Sequence, residues 1–135
     1  MDEDTVERVV RHARSVAVVG VSPNPARPSH GVAAYLIRSG LRVFPVNPAI
    51  KELFGRTAYP SLAELPERVD IVDVFRRPSV VVPVAEQAVA AGAGALWLQL
   101  GVINEEAAAI AAAGGLDVVM DRCLKVEHQR LLGVW

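Results

Sequence analysis

The chain has 135 residues, a hydrophobic content of 52% and a formal net charge of −1 at pH 7. This length suits one domain with a buried core, and the interspersed charges exclude the basic surface typical of nucleic-acid-binding proteins. No apolar run reaches the roughly 18 residues of a membrane span, so we expect no membrane partner either. Residues 1–4 are acidic where a secretory signal is basic, and the single cysteine, Cys123, excludes an internal disulfide. We therefore expect a cytoplasmic protein.

Helical and extended segments alternate along the chain. In chain order we expect a helix over residues 3–13, a strand over 16–20, a helix over 31–39, a strand over 41–46 and a mostly irregular segment over 49–60. After a helical turn over 62–65 we expect a strand over 70–75, a helix over 78–91, a strand over 95–100, a helix over 104–113, a strand over 117–120 and a helix over 123–132. Pro83 lies inside the helix predicted over 78–91, so that helix is expected to begin nearer Val81.

The predicted strands are apolar almost throughout, which is typical of a parallel sheet covered by helices on both faces. We therefore predict a single α/β domain over residues 1–135 with a three-layer Rossmann-type fold. Counting the five strands in chain order, the expected sheet order is 3-2-1-4-5. Ligands of such folds bind at the carboxyl ends of the strands, here near the switch between strands one and four.

The junction after the first strand carries the clearest sign of a ligand site. An apolar run ends at Gly20, passes through a polar, proline-rich turn and enters a helix near Gly31. Such a junction directs backbone N–H groups and a helix dipole at a phosphate. The G-x-G-x-x-G spacing is incomplete, because Ser22 stands where the second glycine belongs. We interpret the loop, with Val21 inside it, as a nucleotide site of a non-standard kind.

The end of the second strand argues against NAD. An NAD site normally has an acidic residue there for the ribose hydroxyls, whereas this chain has Pro45-Val46-Asn47-Pro48. The alternative interpretation of Asn47-Pro48 is a simple turn.

Basic side chains are predicted around the same cleft. Arg27 and Ser29 flank the start of the helix after Gly20, Arg76 and Arg77 follow Phe75 at the end of the third strand, and Lys51 lies beyond the second. Together these groups could bind several phosphates through charge-assisted hydrogen bonds. The alternative is that the arginines are ordinary solvated surface residues. Because Arg76 and Arg77 also suit a 2′-phosphate, charge alone does not exclude NADP.

The remaining candidates follow the last two strands. Gln99 precedes Gly101 at the end of the fourth strand, where its amide suits either a ligand or the loop backbone, while Trp97 is expected in the core. Cys123 is predicted at a helix start, which would favour a reactive thiol or a mixed disulfide with a thiol ligand; a small buried side chain is the alternative. The three histidines have no metal-ligand spacing, and no nucleophile–base motif is present. We therefore expect neither a metal site nor catalytic residues.

Taken together, these segments resemble the small stand-alone CoA-binding proteins, whose fold matches the CoA-binding domain of the succinyl-CoA synthetase α subunit. The blocks that carry the resemblance are Val19-Gly20-Val21-Ser22 with Arg27 and Ser29, Pro45-Val46-Asn47-Pro48 with Lys51, Gly55 with Tyr59-Pro60-Ser61-Leu62, residues 69–76, residues 97–102 and residues 119–123.

The resemblance implies coenzyme A, or an acyl-CoA, as the small-molecule ligand, held around its nucleotide part by the loops described above. The implied cofactor-binding residues are Gly20, Val21, Ser22, Arg27, Ser29, Pro45, Val46, Asn47, Pro48, Lys51, Phe75, Arg76, Arg77, Gln99 and Gly101. Independently of the resemblance, the diphosphate and 3′-phosphate of CoA need several cations and no acid for a ribose diol.

The chain also departs from the synthetase. That enzyme relays phosphate through a histidine in a further domain, and none of the histidines here has a comparable glycine-rich setting. We therefore expect a non-catalytic carrier, sensor or partner module. The alternatives are an NAD(P)-binding oxidoreductase fragment, a ligase subunit that needs a partner chain, and a structural protein with a vestigial site. A homo-oligomer or a protein partner is compatible with the sequence.

Overall fold

A parallel sheet forms the centre of the protein, which is described from a computed structural model covering residues 3–133. The elements in chain order are α1 (Glu3–His12), β1 (Ser15–Val19), α2 (Pro28–Arg38), β2 (Arg42–Val46), β3 (Glu52–Leu53), β4 (Arg56–Thr57), β5 (Ile71–Val74), α3 (Val82–Ala90), β6 (Ala95–Leu98), α4 (Glu105–Ala113), β7 (Asp117–Met120) and α5 (Leu124–Leu132). The predicted domain limits, 1–135, extend past the described residues at both ends.

The sheet is buried on both faces, as its apolar strands predict. Every residue of β1, β5 and β6 is buried. Helices α1, α2 and α5 pack on one face through side chains such as Val6, Leu36 and Leu124. Helices α3 and α4 cover the other face through the small side chains Ala85 and Ala107. The predicted three-layer α/β fold with a five-stranded parallel sheet is therefore confirmed.

The predicted strand order is wrong. The sheet runs β2-β1-β5-β6-β7, which is 2-1-3-4-5 when its five strands are counted in chain order. The strand expected outside β2 instead pairs with the free edge of β1, where Val16 lies beside Ile71. The outer edge of β2 is occupied by the chain around Tyr59, which forms a parallel bridge with Val46. Tyr59 donates its N–H to the Pro45 carbonyl and accepts from the Asn47 N–H, so no further strand can pair there.

This correction moves the switch point of the sheet. The chain leaves β1 toward β2 on one side and returns to β5 on the other, so the crevice lies between β1 and β5 rather than between the first and fourth strands. The loops after Val19 and Val74 therefore become direct neighbours. As a consequence, the turn at Gly20 lies beside the consecutive arginines Arg76 and Arg77 at the sheet edge.

The segment predicted as irregular contains a short antiparallel hairpin. Strands β3 and β4 pair across a two-residue turn formed by Phe54 and Gly55, both with positive φ (55° and 71°). Left-handed conformations at both central residues are typical of a tight hairpin turn. Two-residue strands are too short to show a hydrophobic period, which is why the pattern did not reveal them.

Helix boundaries differ from the predicted ones mainly at prolines. Helix α2 begins at Pro28, before the predicted start at Gly31, because proline suits the first turn where its missing N–H has no partner anyway. The segment predicted as one helix over 78–91 divides into a 3₁₀ turn, Pro78–Val80, and α3, which has Pro83 in its first turn. No helix within residues 3–133 is long and apolar enough to cross a membrane.

Candidate ligand-binding site

A cleft of about 900 Å³ opens at the carboxyl ends of the strands. The residues that follow four neighbouring strands line it: Asn47 after β2, Gly20 after β1, Phe75 after β5 and Gln99 after β6. Neighbouring strands are about 4.8 Å apart, so the strand ends on the two sides of the cleft lie roughly 14 Å from each other. The cleft is therefore elongated across the sheet edge and centred on the switch point.

Most of the predicted site residues line this cleft. They are Gly20, Ser22, Arg27, Ser29, Val46, Asn47, Phe75, Arg76, Arg77 and Gln99. The predicted residues outside its lining are Val21, Pro45, Pro48, Lys51 and Gly101. Val21 and Pro45 are buried, whereas Pro48, Lys51 and Gly101 are exposed.

Gly20 allows two loops to approach each other at the centre of the cleft. Its φ is +82°, and a Cβ at this position would lie 2.3 Å from the Phe75 carbonyl oxygen. The Gly20 N–H donates to the Val46 carbonyl at 2.9 Å, and the Phe75 N–H donates to the Val19 carbonyl at 2.8 Å. Any side chain here would push the loop after β5 away from the loop after β1. Glycine is therefore required by both the backbone conformation and the close contact.

The loop between β1 and α2 is held by its own polar side chains. Ser29 is 4% exposed and its Oγ accepts the Ser22 N–H at 2.9 Å. Ser22 Oγ in turn accepts the Asn24 N–H, and Asn24 Oδ1 accepts the Ala26 N–H. Ser29, predicted as a phosphate ligand, thus also positions the loop backbone.

The amino-terminal end of α2 faces the cleft without a side-chain cap. Arg27 is the N-cap residue, and Arg27, Pro28 and Ser29 all line the cleft. The first turn of α2 contains no acidic residue. Pro28 has no N–H, and the His30 N–H donates to the Arg27 carbonyl at 3.1 Å. The Ser29 N–H and the positive end of the helix dipole are therefore available to an anion.

The arginines at the cleft differ from six of the other nine arginines of the protein, since among those nine only Arg14, Arg38 and Arg56 also lack an ion pair within residues 3–133. The arginines that pair with carboxylates elsewhere are Arg8, Arg11, Arg42, Arg68, Arg122 and Arg130. Within residues 3–133, Arg27, Arg76 and Arg77 make no ion pair, and no aspartate or glutamate lines the cleft. This end of the sheet therefore carries positive charge that the protein itself does not neutralise.

Asn47 makes structural contacts at the end of β2. Its Nδ2 donates to the Val21 carbonyl at 2.8 Å, and its Oδ1 accepts the Ala49 N–H at 2.8 Å. The side chain thus closes the turn that contains Pro48 and links this turn to the glycine loop. These contacts agree with the alternative interpretation of Asn47-Pro48 as a turn. Asn47 also lines the cleft.

Gln99 and Cys123 meet at the far side of the cleft. Gln99 is 4% exposed, and its Oε1 accepts the Leu124 N–H at 3.0 Å, which satisfies the start of α5. Cys123 is the half-buried N-cap residue of that helix and lines the cleft. Trp97 is fully buried in the core, as predicted, and its Nε1 donates to the Arg122 carbonyl at 2.8 Å.

Comparison with known proteins identifies the family. The family model described as "CoA binding domain" matches residues 14–129. The chain belongs to this CoA-binding domain family. The resemblance predicted from the sequence is thereby confirmed.

The relatives include proteins of similar length and much longer enzymes. The uncharacterized protein YneT of Bacillus subtilis is 39% identical over 123 residues, covering 91% of each chain. A hypothetical protein from Pyrococcus horikoshii OT3 has a TM-score of 0.94 at 37% identity, covering 98% of this chain and 94% of that one. The ADP-forming acetate–CoA ligase I of Archaeoglobus fulgidus is 29% identical over 126 residues, which cover 84% of this chain but only 18% of that enzyme.

Several residues of the cleft wall were not among the predicted ligand-binding residues, although Val19, Pro60, Ser61, Leu100 and Val102 lie in the sequence blocks that carry the resemblance. They are Val19, Pro28, Val32, Pro60, Ser61, Val80, Val84, Gln87, Leu100 and Val102. Pro60 and Ser61 reach the cleft because the segment around Tyr59 folds back along β2. The apolar members lie on helices and loops beside the strand ends, and an apolar residue type alone does not distinguish a cleft wall from the core.

Asp73 is a further unpredicted feature, buried just below the cleft in β5. It is fully buried between Val18 and Trp97 of the neighbouring strands, and neither carboxyl oxygen has a hydrogen-bond partner among the described residues. Burial raises the pKa of the Asp73 carboxyl well above its usual range. In the sequence, the sign of this buried carboxyl is an acidic residue inside an otherwise apolar strand.

A second cavity, also of about 900 Å³, lies at the opposite end of the sheet. Arg14, Arg38 and Arg42 line it together with Tyr35 and His128. Arg42 is paired with Glu67 at 2.9 Å, and α2 ends there with its carbonyl groups. A helix carboxyl end disfavours anions. The cleft at the strand carboxyl ends is therefore the better candidate site for a phosphorylated ligand.

Proposed function

We propose that the protein binds coenzyme A or an acyl-CoA in the cleft at the carboxyl ends of the strands. The observation that carries this proposal is the charge of the cleft: Arg27, Arg76 and Arg77 line it, and no carboxylate of the described residues does. CoA contains a diphosphate and a 3′-phosphate, which such a cleft would neutralise through charge-assisted hydrogen bonds. Membership of the CoA-binding domain family supports the same ligand.

The uncapped start of α2 supplies the second part of the proposed phosphate site. One phosphate at this position would accept from the Ser29 N–H, interact with the positive end of the helix dipole and complete the cap that no side chain provides. Arg27 and Ser29 lie at the same helix end, and Arg76 follows the neighbouring strand. The proposed phosphate-binding groups therefore come from adjacent loops on either side of the switch point.

We propose a non-catalytic role as a carrier, sensor or partner module in the cytoplasm. Among the described residues of the cleft wall there is no histidine, aspartate or glutamate that could serve as a general base. The single cysteine suits a reducing compartment. ATP-dependent formation of an acyl-CoA by the purified chain alone would contradict this role.

A ligase subunit completed by a partner chain is the second candidate. It is favoured by the ADP-forming acetate–CoA ligase I, in which the matched segment is 18% of the enzyme. Under this candidate the chain would bind CoA in the same way and turn over only after a partner is added.

Calorimetric titration of the purified protein tests the ligand directly. We expect CoA to bind at least tenfold more tightly than NAD, a difference of about 1.4 kcal/mol, because no acidic residue follows β2 to accept the ribose hydroxyls. Dephospho-CoA, which lacks the 3′-phosphate of CoA, and NADP, which carries a 2′-phosphate, show how much a phosphate on the ribose contributes to binding. Binding of NAD or NADP as tight as that of CoA would overturn the proposal, and mass spectrometry of ligand retained by the native protein gives an independent identification.

A further inference from the structure

One side of the cleft mouth carries an exposed apolar rim, defined by Val80, Leu100 and Ile103. Their exposed fractions are 36%, 70% and 51%. Among residues 3–133 the other exposed large hydrophobic residue is Val126, on α5. Single exposed apolar residues are ordinary, whereas a group beside a ligand cleft marks a contact surface.

The turn that presents Leu100 is firmly built. The Val102 N–H donates to the Gln99 carbonyl at 2.8 Å, and Gly101 has the positive φ (+85°) that a type II turn requires at its third residue. The Gly101 N–H donates to Asp121 Oδ1 at 2.8 Å. Asp121 itself has a φ of 61°, a conformation uncommon for a residue other than glycine. Leu100 is thus held at the tip of a braced turn and is not folded into the core.

A side-chain hydrogen bond joins the two loops that form the apolar rim. Asn104 Nδ2 donates to the Pro78 carbonyl at 2.9 Å. Pro78 begins the 3₁₀ turn that contains Val80, and Asn104 directly follows Ile103. The two loops that carry the apolar rim, after β5 and after β6, are therefore directly linked.

The apolar rim continues into the wall of the cleft. Val80 and Leu100 line the cleft as well as its mouth, together with Val84 and Val102 further in. The uncapped α2 start with Arg27 lies toward β1, whereas Leu100 follows β6. Arg76 and Arg77 lie between them, on the loop after β5 that also carries Val80. The aliphatic residues of the cleft therefore begin beside the cationic ones and extend toward β6, which fits a ligand that is phosphorylated at one end and apolar at the other.

We propose that the ligand of this cleft is a CoA thioester with an aliphatic acyl chain of medium length, whose chain packs along the apolar rim. This inference rests on the proposed function and specifies the ligand class within it. Full burial of one methylene group increases affinity about fourfold. Since the apolar rim is open to solvent on its outer side, we expect about a twofold gain for each methylene group.

Titrations with CoA, acetyl-CoA, butyryl-CoA and octanoyl-CoA test the inference on the unmodified protein. We expect affinity to rise with chain length, with octanoyl-CoA binding at least tenfold more tightly than CoA. The measured quantity is the ratio of the two dissociation constants, so that errors in active protein concentration cancel.

Two substitutions locate the acyl contact. Leu100→Ser and Ile103→Ser should each reduce the affinity ratio between octanoyl-CoA and CoA at least threefold. The matched control is Val126→Ser, which changes an exposed valine (54%) outside the cleft and should keep the ratio of the unmodified protein. Thermal melting of each variant without ligand verifies that it is folded.

The outcomes separate the two proposals. Binding of CoA without any dependence on chain length would overturn the acyl inference and leave the proposed function intact. Failure of CoA and of every acyl-CoA to bind would overturn the proposed function itself. A monodisperse dimer that Leu100→Ser converts to a monomer, with an unchanged affinity ratio, would assign the apolar rim to a second copy of the chain and contradict the acyl site.

Discussion

Arg27 and Arg76 are the residues whose exposed charge most directly distinguishes ligand binding from fold maintenance. Neither makes an ion pair within residues 3–133, and both are exposed at the cleft. Their side chains therefore contribute little to the unliganded fold, and their role is expected to appear only when a phosphate is present.

We predict that Arg27→Ala and Arg76→Ala each weaken CoA binding about tenfold or more. A charge-assisted hydrogen bond to phosphate contributes about 1.5–3 kcal/mol. Calorimetry measures the affinity, and the loss should shrink at high salt because screening weakens the same interaction in the unmodified protein. Arg38→Ala is the matched control, since Arg38 is exposed in the last turn of α2, away from the cleft.

The melting temperature of each arginine variant without ligand should stay close to that of the unmodified protein. A much lower melting temperature would show that these arginines stabilise the fold. CoA affinity unchanged in both variants would show that the phosphate site lies elsewhere.

Asp73 makes the stability of the protein depend on pH. An unfolded aspartate titrates at about pH 3.9, and burial raises the pKa of Asp73 in the folded state. Below the unfolded value both states hold the proton. Above it the unfolded chain loses the proton first, so stability falls as the pH rises toward the folded-state pKa.

We predict that Asp73→Asn, which is isosteric and does not titrate, gains stability relative to the unmodified protein as the pH rises from 4.5 to 7. The relative gain is expected to be up to about 1.4 kcal/mol per pH unit. Denaturant unfolding at the two pH values measures it, and a difference independent of pH would contradict the prediction.

Asp70 provides the comparison for Asp73 in the same segment. Its Oδ2 accepts the Arg14 N–H at 2.8 Å and the Ser15 N–H at 3.3 Å. Asp70→Asn weakens this acceptor and is expected to lower stability at both pH values. Asp73→Asn is thus tested by the change of its effect with pH, whereas Asp70→Asn is tested by a loss of stability.

At the level of elements, α2 and α4 differ in how their amino-terminal ends are satisfied. Asn104 Oδ1 accepts the Ala107 N–H at 2.9 Å, and two glutamates occupy the first turn of α4. Helix α2 has neither a side-chain cap nor an acidic first turn. The amino-terminal end of α4 is therefore capped by a side chain of the protein, whereas that of α2 is uncapped and faces the cleft.

We predict that Asn104→Ala lowers the free energy of unfolding by about 1–2 kcal/mol, through loss of the cap and of the link to Pro78. Asn104→Asp keeps the capping oxygen and should lose less. Urea unfolding measures both variants. An equal loss in both would mean that the amide link between the loops, not the cap, provides the stabilisation.

For the whole molecule, ligand binding and folding are linked. A ligand present at 100 times its dissociation constant stabilises the folded state by about 2.7 kcal/mol. For a domain of this size we predict that CoA at that concentration raises the melting temperature by roughly 10 °C. A scanning-fluorimetry titration measures the shift, with NAD at the same concentration as the control, and an equal shift with NAD would contradict the proposed selectivity.

The position of the cleft is itself a property of the whole sheet. The glycine turn meets the arginines after β5 because β1 and β5 are neighbours, in contact from Val16–Ile71 to Val19–Val74. In the predicted order 3-2-1-4-5, β2 would have lain between the two strands that carry these loops. The observed strand order therefore brings the proposed phosphate-binding groups closer together than the predicted order would have done.

The sequence alone determined the five strands of the main sheet, the helices that cover it, the fold class and about half of the cleft wall. The apolar runs around Val18 and Leu96 located strands because a parallel strand is buried on both faces, so its pattern is local and continuous. Gly20 and the arginines could be assigned to the cleft because the carboxyl ends of parallel strands share one edge. These inferences depend only on residues near one another in the chain.

Only the tertiary structure decided the strand order, the environment of Asp73 and the pairing of charges. The order depends on whether the segment around Tyr59 occupies the edge of β2, a contact between residues distant in the chain. Arg8 forms an ion pair with Asp117 at 2.7 Å, whereas Arg76 forms no ion pair within residues 3–133 and lines the cleft. Both arginines are exposed, and the sequence alone does not distinguish them. Such differences arise from which groups the fold brings together, because the free energy of a charge depends on its neighbours in space and not on its neighbours in sequence.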